Sequence, residues 1–419
     1  MKNLRTSLVL LSILALAVVA AASGALQSAA SKASAGQGSQ SPMAGMNMSM
    51  HGASSTAASS AKAVQLRVTL DQLLGEHAML AIQATQSGYS GSPDFKALAA
   101  QLDANSVAIS KAIGSVYGPA AGKQFLDGKN LWRAHIKDFV DYTVALAKHD
   151  SAGQKKAVAN LMTYIQVQAA FFAKATGLSK AALVNDLTAH VLQLKGQLDA
   201  YAKGDYAQSY ALTDGAYKHM FMTGDLLSAA IAKQKDLGST TGKAADLQVT
   251  LDQLLGEHAW LATWATQAGV SGGKNFPALA KQLDKNSVAI SQAIGSLYGA
   301  AAGKQFLNGA NLWRAHINDF VAYTVATAKG DTAGQKKAVA ALMTYIQVQA
   351  GFFAKAIGLP KTALVNDLTA HVLQLKGALD AYHAKQYGKA FQLVDGAYQH
   401  MFMTGGVLAG GIATQKGLH

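Results

Sequence analysis

The side chains in this chain best suited to chemistry are histidines, and eight of the twelve come in pairs. Glu76-His77, Trp132-Arg133-Ala134-His135, Thr188-Ala189-His190 and His219-Met220-Phe221-Met222-Thr223-Gly224 each return 181 positions later. The second set is Glu257-His258, Trp313-Arg314-Ala315-His316, Thr369-Ala370-His371 and the run from His400 through Met403 to Gly405. Imidazole ligates transition metals, serves as an axial haem ligand and exchanges protons near neutral pH. A thioether such as Met222 or Met403 is a soft ligand that suits Cu(I). Of the 23 acidic residues only Glu76 and Glu257 are glutamates, and each precedes a paired histidine. Cysteine is absent, which excludes disulfides, thiolate metal sites and a cysteine nucleophile.

Helical periodicity places these histidines on apolar stripes. Leu66, Leu70, Leu73, His77, Leu80 and Ala84 form one seam, and Leu131, Trp132, His135, Phe139 and Tyr142 form a second. Leu183, Leu187, His190, Leu194 and Leu198 form a third. On the last helix the spacing puts Leu212, Ala216, His219, Met222 and Leu226 on one side, with Met220 turned about 100° away. A buried imidazole needs a partner, so each is either a satisfied core residue or one member of a shared pocket. For the pocket, His77, His135, His190, His219 and Met222 are the candidate ligands, with Glu76 as an acceptor orienting one ring. His258, His316, His371, His400, Met403 and Glu257 repeat that set. Copper is the first expectation, with zinc and non-covalent haem b as alternatives. A carboxylate-bridged di-iron bundle needs more glutamates than one per repeat and is excluded.

The elements that must position these groups are helices. The 181-residue offset runs without a gap from Leu66/Leu247 to Lys235/Lys416, with roughly three quarters of the pairs identical. No sustained alternation of apolar and polar residues argues for strands. Six helices are predicted per repeat, in the first at about 64–87, 94–117, 120–148, 152–176, 179–203 and 205–235. The expected fold is therefore all-α, two tandem homologous six-helix bundle domains after a signal peptide and a disordered tail. Their bounds are 64–237 and 247–419, with a polar linker at 238–246. Ser179 and Asp205 are expected N-caps, and Pro360 replaces Ser179 in the second repeat.

Residues 1–25 carry Lys2 and Arg5, an apolar run from Leu8 to Ala22 and small residues after it, the pattern of an export signal; an uncleaved anchor is the alternative. The mature chain is expected outside the cytoplasmic membrane, secreted, periplasmic or associated with the cell envelope. Residues 26–63 are Ser, Ala, Gly and Gln with few large apolar side chains, a composition expected to be disordered. Within them Met43, Met46, Met48, Met50 and His51 form a second candidate copper site, against the plainer reading of a biased tail. The net charge of +13 is spread singly, which argues against a nucleic-acid partner. P-loop and H-E-x-x-H motifs are absent, and no catalytic residue is nominated.

The run Thr69-Leu-Asp-Gln-Leu-Leu-Gly-Glu-His77, with Trp132-Arg-Ala-His135, Phe139-Val-Asp-Tyr-Thr143 and His219-Met-Phe-Met-Thr-Gly224, resembles exported bacterial helical proteins. Many of these carry the label "copper amine oxidase" or "copper amine oxidase-like domain", and the resemblance spans both repeats. It implies a helical fold and export. It does not imply oxidase activity, because that chemistry belongs to a β-rich fold and a tyrosine in an Asn-Tyr-Asp/Glu context, and no Asn-Tyr dipeptide occurs here. The leading expectation is an exported copper-binding or copper-buffering protein with one His/Met site per repeat. The alternatives are a metal-free structural or interaction module of the envelope and a haem-binding redox protein.

Overall fold

The computed structural model describes residues 62–418, and every regular element among them is a helix. The first repeat holds α1 (Lys62–Ser90), α2 (Phe95–Tyr117), α3 (Pro119–Asp127), α4 (Trp132–Ala147), α5 (Ser151–Thr176), α6 (Lys180–Ala202) and α7 (Tyr206–Gln234). The second holds α8 (Lys243–Val270), α9 (Phe276–Tyr298), α10 (Ala300–Asn308), α11 (Trp313–Lys329), α12 (Thr332–Ile357), α13 (Lys361–His383) and α14 (Tyr387–Lys416). The segments read as signal peptide and Met-bearing tail lie outside the described residues. Among those described, no helix is long and apolar enough to cross a membrane.

The single helix expected at 120–148 is two helices. Asn130 takes a left-handed φ of 55° between them, and its repeat partner Asn311 does the same at 53°. The break lets both Leu131 and Trp132 turn into the core, which neighbours on one uninterrupted helix would do poorly because they point 100° apart. Elsewhere the local chemistry acts as expected. The Ser179 side chain accepts from the Ala182 amide and Asp205 from the Gln208 amide, each an N-cap. Pro360 occupies the N-cap position of α13. The helices begin slightly early: α1 starts at Lys62 inside the expected linker, and α8 starts at Lys243.

In each repeat one long helix is central: α1 packs on α2, α4, α6 and α7, and α8 packs on α9, α11, α13 and α14. Gly224 permits the closest of these approaches, since a Cβ there would sit 2.0 Å from Asp71 Oδ1 and 3.1 Å from the Asp71 backbone nitrogen. The repeats then pack on each other through α1 and α8, α7 and α9, and α14 and α2. Tyr217 and Tyr398 meet hydroxyl to hydroxyl at 3.3 Å, Phe221 stacks on Phe402 at 6.1 Å between ring centres, and Gln83 donates to Gln267 at 2.9 Å. One apolar core therefore runs through both repeats.

Candidate metal centre

His77 lies midway along α1, His135 in the first turn of α4, and His190 midway along α6; all three are buried. His77 Nε2 and His135 Nε2 are 3.3 Å apart, and the ring centres of His77 and His190 are 6.1 Å apart. The second repeat reproduces the arrangement, with His316 Nε2 3.4 Å from His258 Nε2 and rings of His258 and His371 6.1 Å apart. There His258, His316 and His371 each offer one ring nitrogen within 4.8 Å of the others. Trp132 closes one side of the first cluster, 4.6 Å from His77 and 4.8 Å from His135, and Tyr164 stacks on His135 at 4.5 Å.

Burial in this apolar shell disfavours imidazolium, and neighbouring rings add to the effect. Desolvation first, then His135, pushes His77 well below its ordinary range. His135 falls to about 3 through desolvation, then His190, with a small opposing pull from the Trp132 carbonyl. That carbonyl exerts its pull without reaching hydrogen-bonding geometry, since His135 Nδ1 has no partner. His190 is likewise pushed down by desolvation, then His77 and His219. His258 and His371 are lowered in the same way, and His316 falls to about 3. All six rings are therefore neutral at physiological pH, the protonation state that ligates a metal.

Their hydrogen bonding is incomplete. His77, His135 and His190 carry one N–H proton each, yet the only bond these rings make is the contact between His77 and His135. The Nδ1 atoms of all three, and of His258, His316 and His371, are buried without a partner. At 3.3–3.4 Å the Nε2 pairs are also longer than the usual 2.9–3.0 Å of a nitrogen donor bond. Two nitrogens that each lie about 2.0–2.1 Å from one ion, at tetrahedral to trigonal angles, are about 3.3–3.6 Å apart. The observed separations fall in that range.

Other nominated residues sit elsewhere. The His219 ring lies 6.5 Å from His190 and stacks nearly parallel to it, but Nε2 faces the Asp186 carbonyl at 3.0 Å and its carboxylate at 3.3 Å. His400 is held the same way by Asp367. These two are satisfied outer-wall histidines. Met222 and Met403 are each 60% exposed, whereas Met220 is 2% exposed. The buried arc of α7 centres on Thr213, Met220 and Ile231, with His219 at its edge and Met222 beyond that edge. The expected seam is thus displaced, and neither methionine enters the cluster.

Glu76 does not orient a ring. Its Oε2 accepts from Asn105 at 2.9 Å, and burial followed by Asp395 of the other repeat raises its pKa well above the carboxylate range. Glu257 mirrors it with Asn286 at 2.9 Å, pushed up to about 8 by burial and Asp214. Arg133 forms a half-exposed ion pair with Asp103 at 2.8 Å and Asp127 at 2.6 Å. Asp71 and Asp252 escaped sequence reasoning: both are buried, with neither carboxyl oxygen partnered. Their sequence signal was slight, since each lies off the leucine seam of its helix. Met43, Met46, Met48, Met50 and His51 lie outside the described residues. Comparison with family models, curated proteins and solved structures finds no match to this chain.

Proposed function

We propose that each repeat binds one transition-metal ion at its three-histidine cluster, and that the ion is copper held as Cu(I). The observation that carries the reading is the meeting of three buried, neutral imidazoles from three helices: His258, His316 and His371 each bring one ring nitrogen within 4.8 Å of the others, and in the first repeat His77 and His135 pair at 3.3 Å beside His190. Charge selects the metal. None of the three ligands is anionic, and a dipositive ion in this apolar shell would keep its full charge among neutral groups. A monopositive ion is desolvated more cheaply, and copper is the metal of this ligand class that has such a state. Separations of 3.3–3.4 Å between nitrogens leave no room for a porphyrin plane between the rings, which speaks against haem. Export and a buffering role are the physiological setting that the amino-terminal sequence supports.

The test is metal retention by the purified full chain. Loading with Cu(I) or Zn(II) under anaerobic conditions, then desalting and elemental analysis, should leave two copper ions per chain when Met43, Met46, Met48 and Met50 are replaced by serine. H77Q and H258Q should each remove one. A chain that retains no metal refutes the reading, and zinc retention without Cu(I) retention refutes the choice of metal.

A further inference from the structure

A second site, unrelated to the histidines, lies where the repeats meet. A cavity of about 160 Å³ opens there between the turns that follow α1 and α8, with the exposed Ser90 and Ser271 on its rim. Its walls are repeat counterparts of one another, so duplication alone would have made it symmetric. It is not. Gln83 faces the cavity from one repeat and Trp264 from the other; Ser87 is matched by Ala268, and Asp94 by Asn275. Between 79–94 and 260–275 half of the paired positions differ, against roughly one quarter along the whole repeat. The cavity walls thus belong to a segment in which the repeats differ more than they do on average.

The divergent residues define a chemistry. Asp94 is buried, and its carboxylate accepts from Ser87 Oγ at 2.5 Å and from the Tyr382 hydroxyl at 2.8 Å. It precedes α2 yet makes no capping bond to it, so helix capping does not explain the residue. No lysine or arginine lines the cavity, which leaves this carboxylate without a countercharge. The Trp264 indole and the Tyr201 and Tyr382 side chains line the same cavity. The Gln267 carbonyl oxygen accepts from the Gln83 amide, while its own buried amide nitrogen has no partner. A negative charge, aromatic faces and one unused amide donor converge on a space smaller than the 300–1,000 Å³ of drug-sized pockets.

We propose that this cavity binds a small organic ammonium ion that also carries a hydroxyl or carbonyl oxygen. The ammonium group pairs with Asp94 and lies against the aromatic faces, while the oxygen accepts from the Gln267 amide. The site is independent of the metal centre.

Calorimetric titration of the full chain with ethanolamine, choline and tyramine tests it, with ethylene glycol and glycolate as neutral and anionic controls. At least one ammonium probe should bind saturably, about tenfold or more tighter than either control. D94N should weaken that binding about tenfold or more, and W264Q should weaken it as well. Each variant carries the residue that the other repeat already has at the matching position, so the fold tolerates it, and thermal melting verifies this. The assignment is overturned if no ammonium probe saturates below about 10 mM, if ethylene glycol binds as tightly as the best probe, or if D94N and W264Q leave the affinity unchanged.

Discussion

At the scale of single residues, the buried ionisable groups make stability depend on pH in two opposite ways. In the metal-free protein the six cluster histidines have pKa values below their ordinary range, with His135 and His316 at about 3. The folded state then binds fewer protons than the unfolded chain from about pH 6.5 downward, so these rings withdraw stability as pH falls through that window. Asp71 is raised to about 9 by burial and by Asp225, Glu257 to about 8, and Asp252 and Glu76 well above the carboxylate range. For them the folded state binds more protons, and stability is lost as pH rises toward 9. Above about pH 6.5 the imidazoles no longer change, so the carboxyls alone set the slope. D71N should therefore flatten the decline between pH 7 and pH 9 by up to about 1.4 kcal/mol per pH unit in denaturant melts. An unchanged slope would contradict this protonation state. The methionines offer a second comparison. M220A should cost about 2–5 kcal/mol, because it empties a core position. M222A should stay within about 0.5 kcal/mol and leave the copper content of the bundles intact.

At the scale of elements, glycines on one helix have opposite duties. Gly224 lets α7 pass over the backbone of α1 at Asp71, where a methyl group would strike backbone as well as side chain. G224A should destabilise the protein by about 1–3 kcal/mol or more, since the helix itself must shift. Gly215 lies on the same helix, and a Cβ there meets nothing nearer than the Gln193 amide nitrogen at 3.6 Å. G215A should stabilise by about 0.5–1 kcal/mol through the alanine preference of helix interiors. Chemical denaturation of the two variants checks both signs together. If G224A were neutral, the close approach of α1 and α7 would be wrong.

At the scale of the whole molecule, the repeats share what each would otherwise bury alone. Gly75 packs beneath Tyr398 and Gly256 beneath Tyr217, and the Tyr398 hydroxyl donates to the Gln72 carbonyl at 3.2 Å. Arg67 fastens the segment between the repeats by bonding Asp225, the Thr240 carbonyl at 3.2 Å and Asp246 at 2.6 Å. The second repeat has Gln248 at the matching position, so this fastening exists once. A single core predicts a single unfolding transition for the intact chain. It also predicts that residues 62–237 alone present Tyr217, Phe221 and Gly75 to solvent and pair with a second copy, which mimics the missing repeat. Light scattering should find a dimer, and a stable folded monomer would refute the shared core.

The helical class, the duplication and the burial of the paired histidines followed from the sequence alone, because the 3.6-residue period and the 181-residue offset are properties of the chain order. The caps at Ser179 and Asp205 were legible for the same reason, since a capping side chain acts within three residues. What the period cannot supply is height along a bundle and rotation against neighbours. Those depend on where α1, α4, α6 and α7 cross, and they bring His77, His135 and His190 together while turning His219 onto Asp186. Rotation of α7 also reversed the expected roles of Met220 and Met222, because the buried arc is centred by partners on α1 and on the other repeat. The cavity at Asp94 and Trp264 is a tertiary product altogether. Asp94 and Trp264 lie 170 positions apart in sequence, and only the packing of one repeat on the other brings them to one cavity.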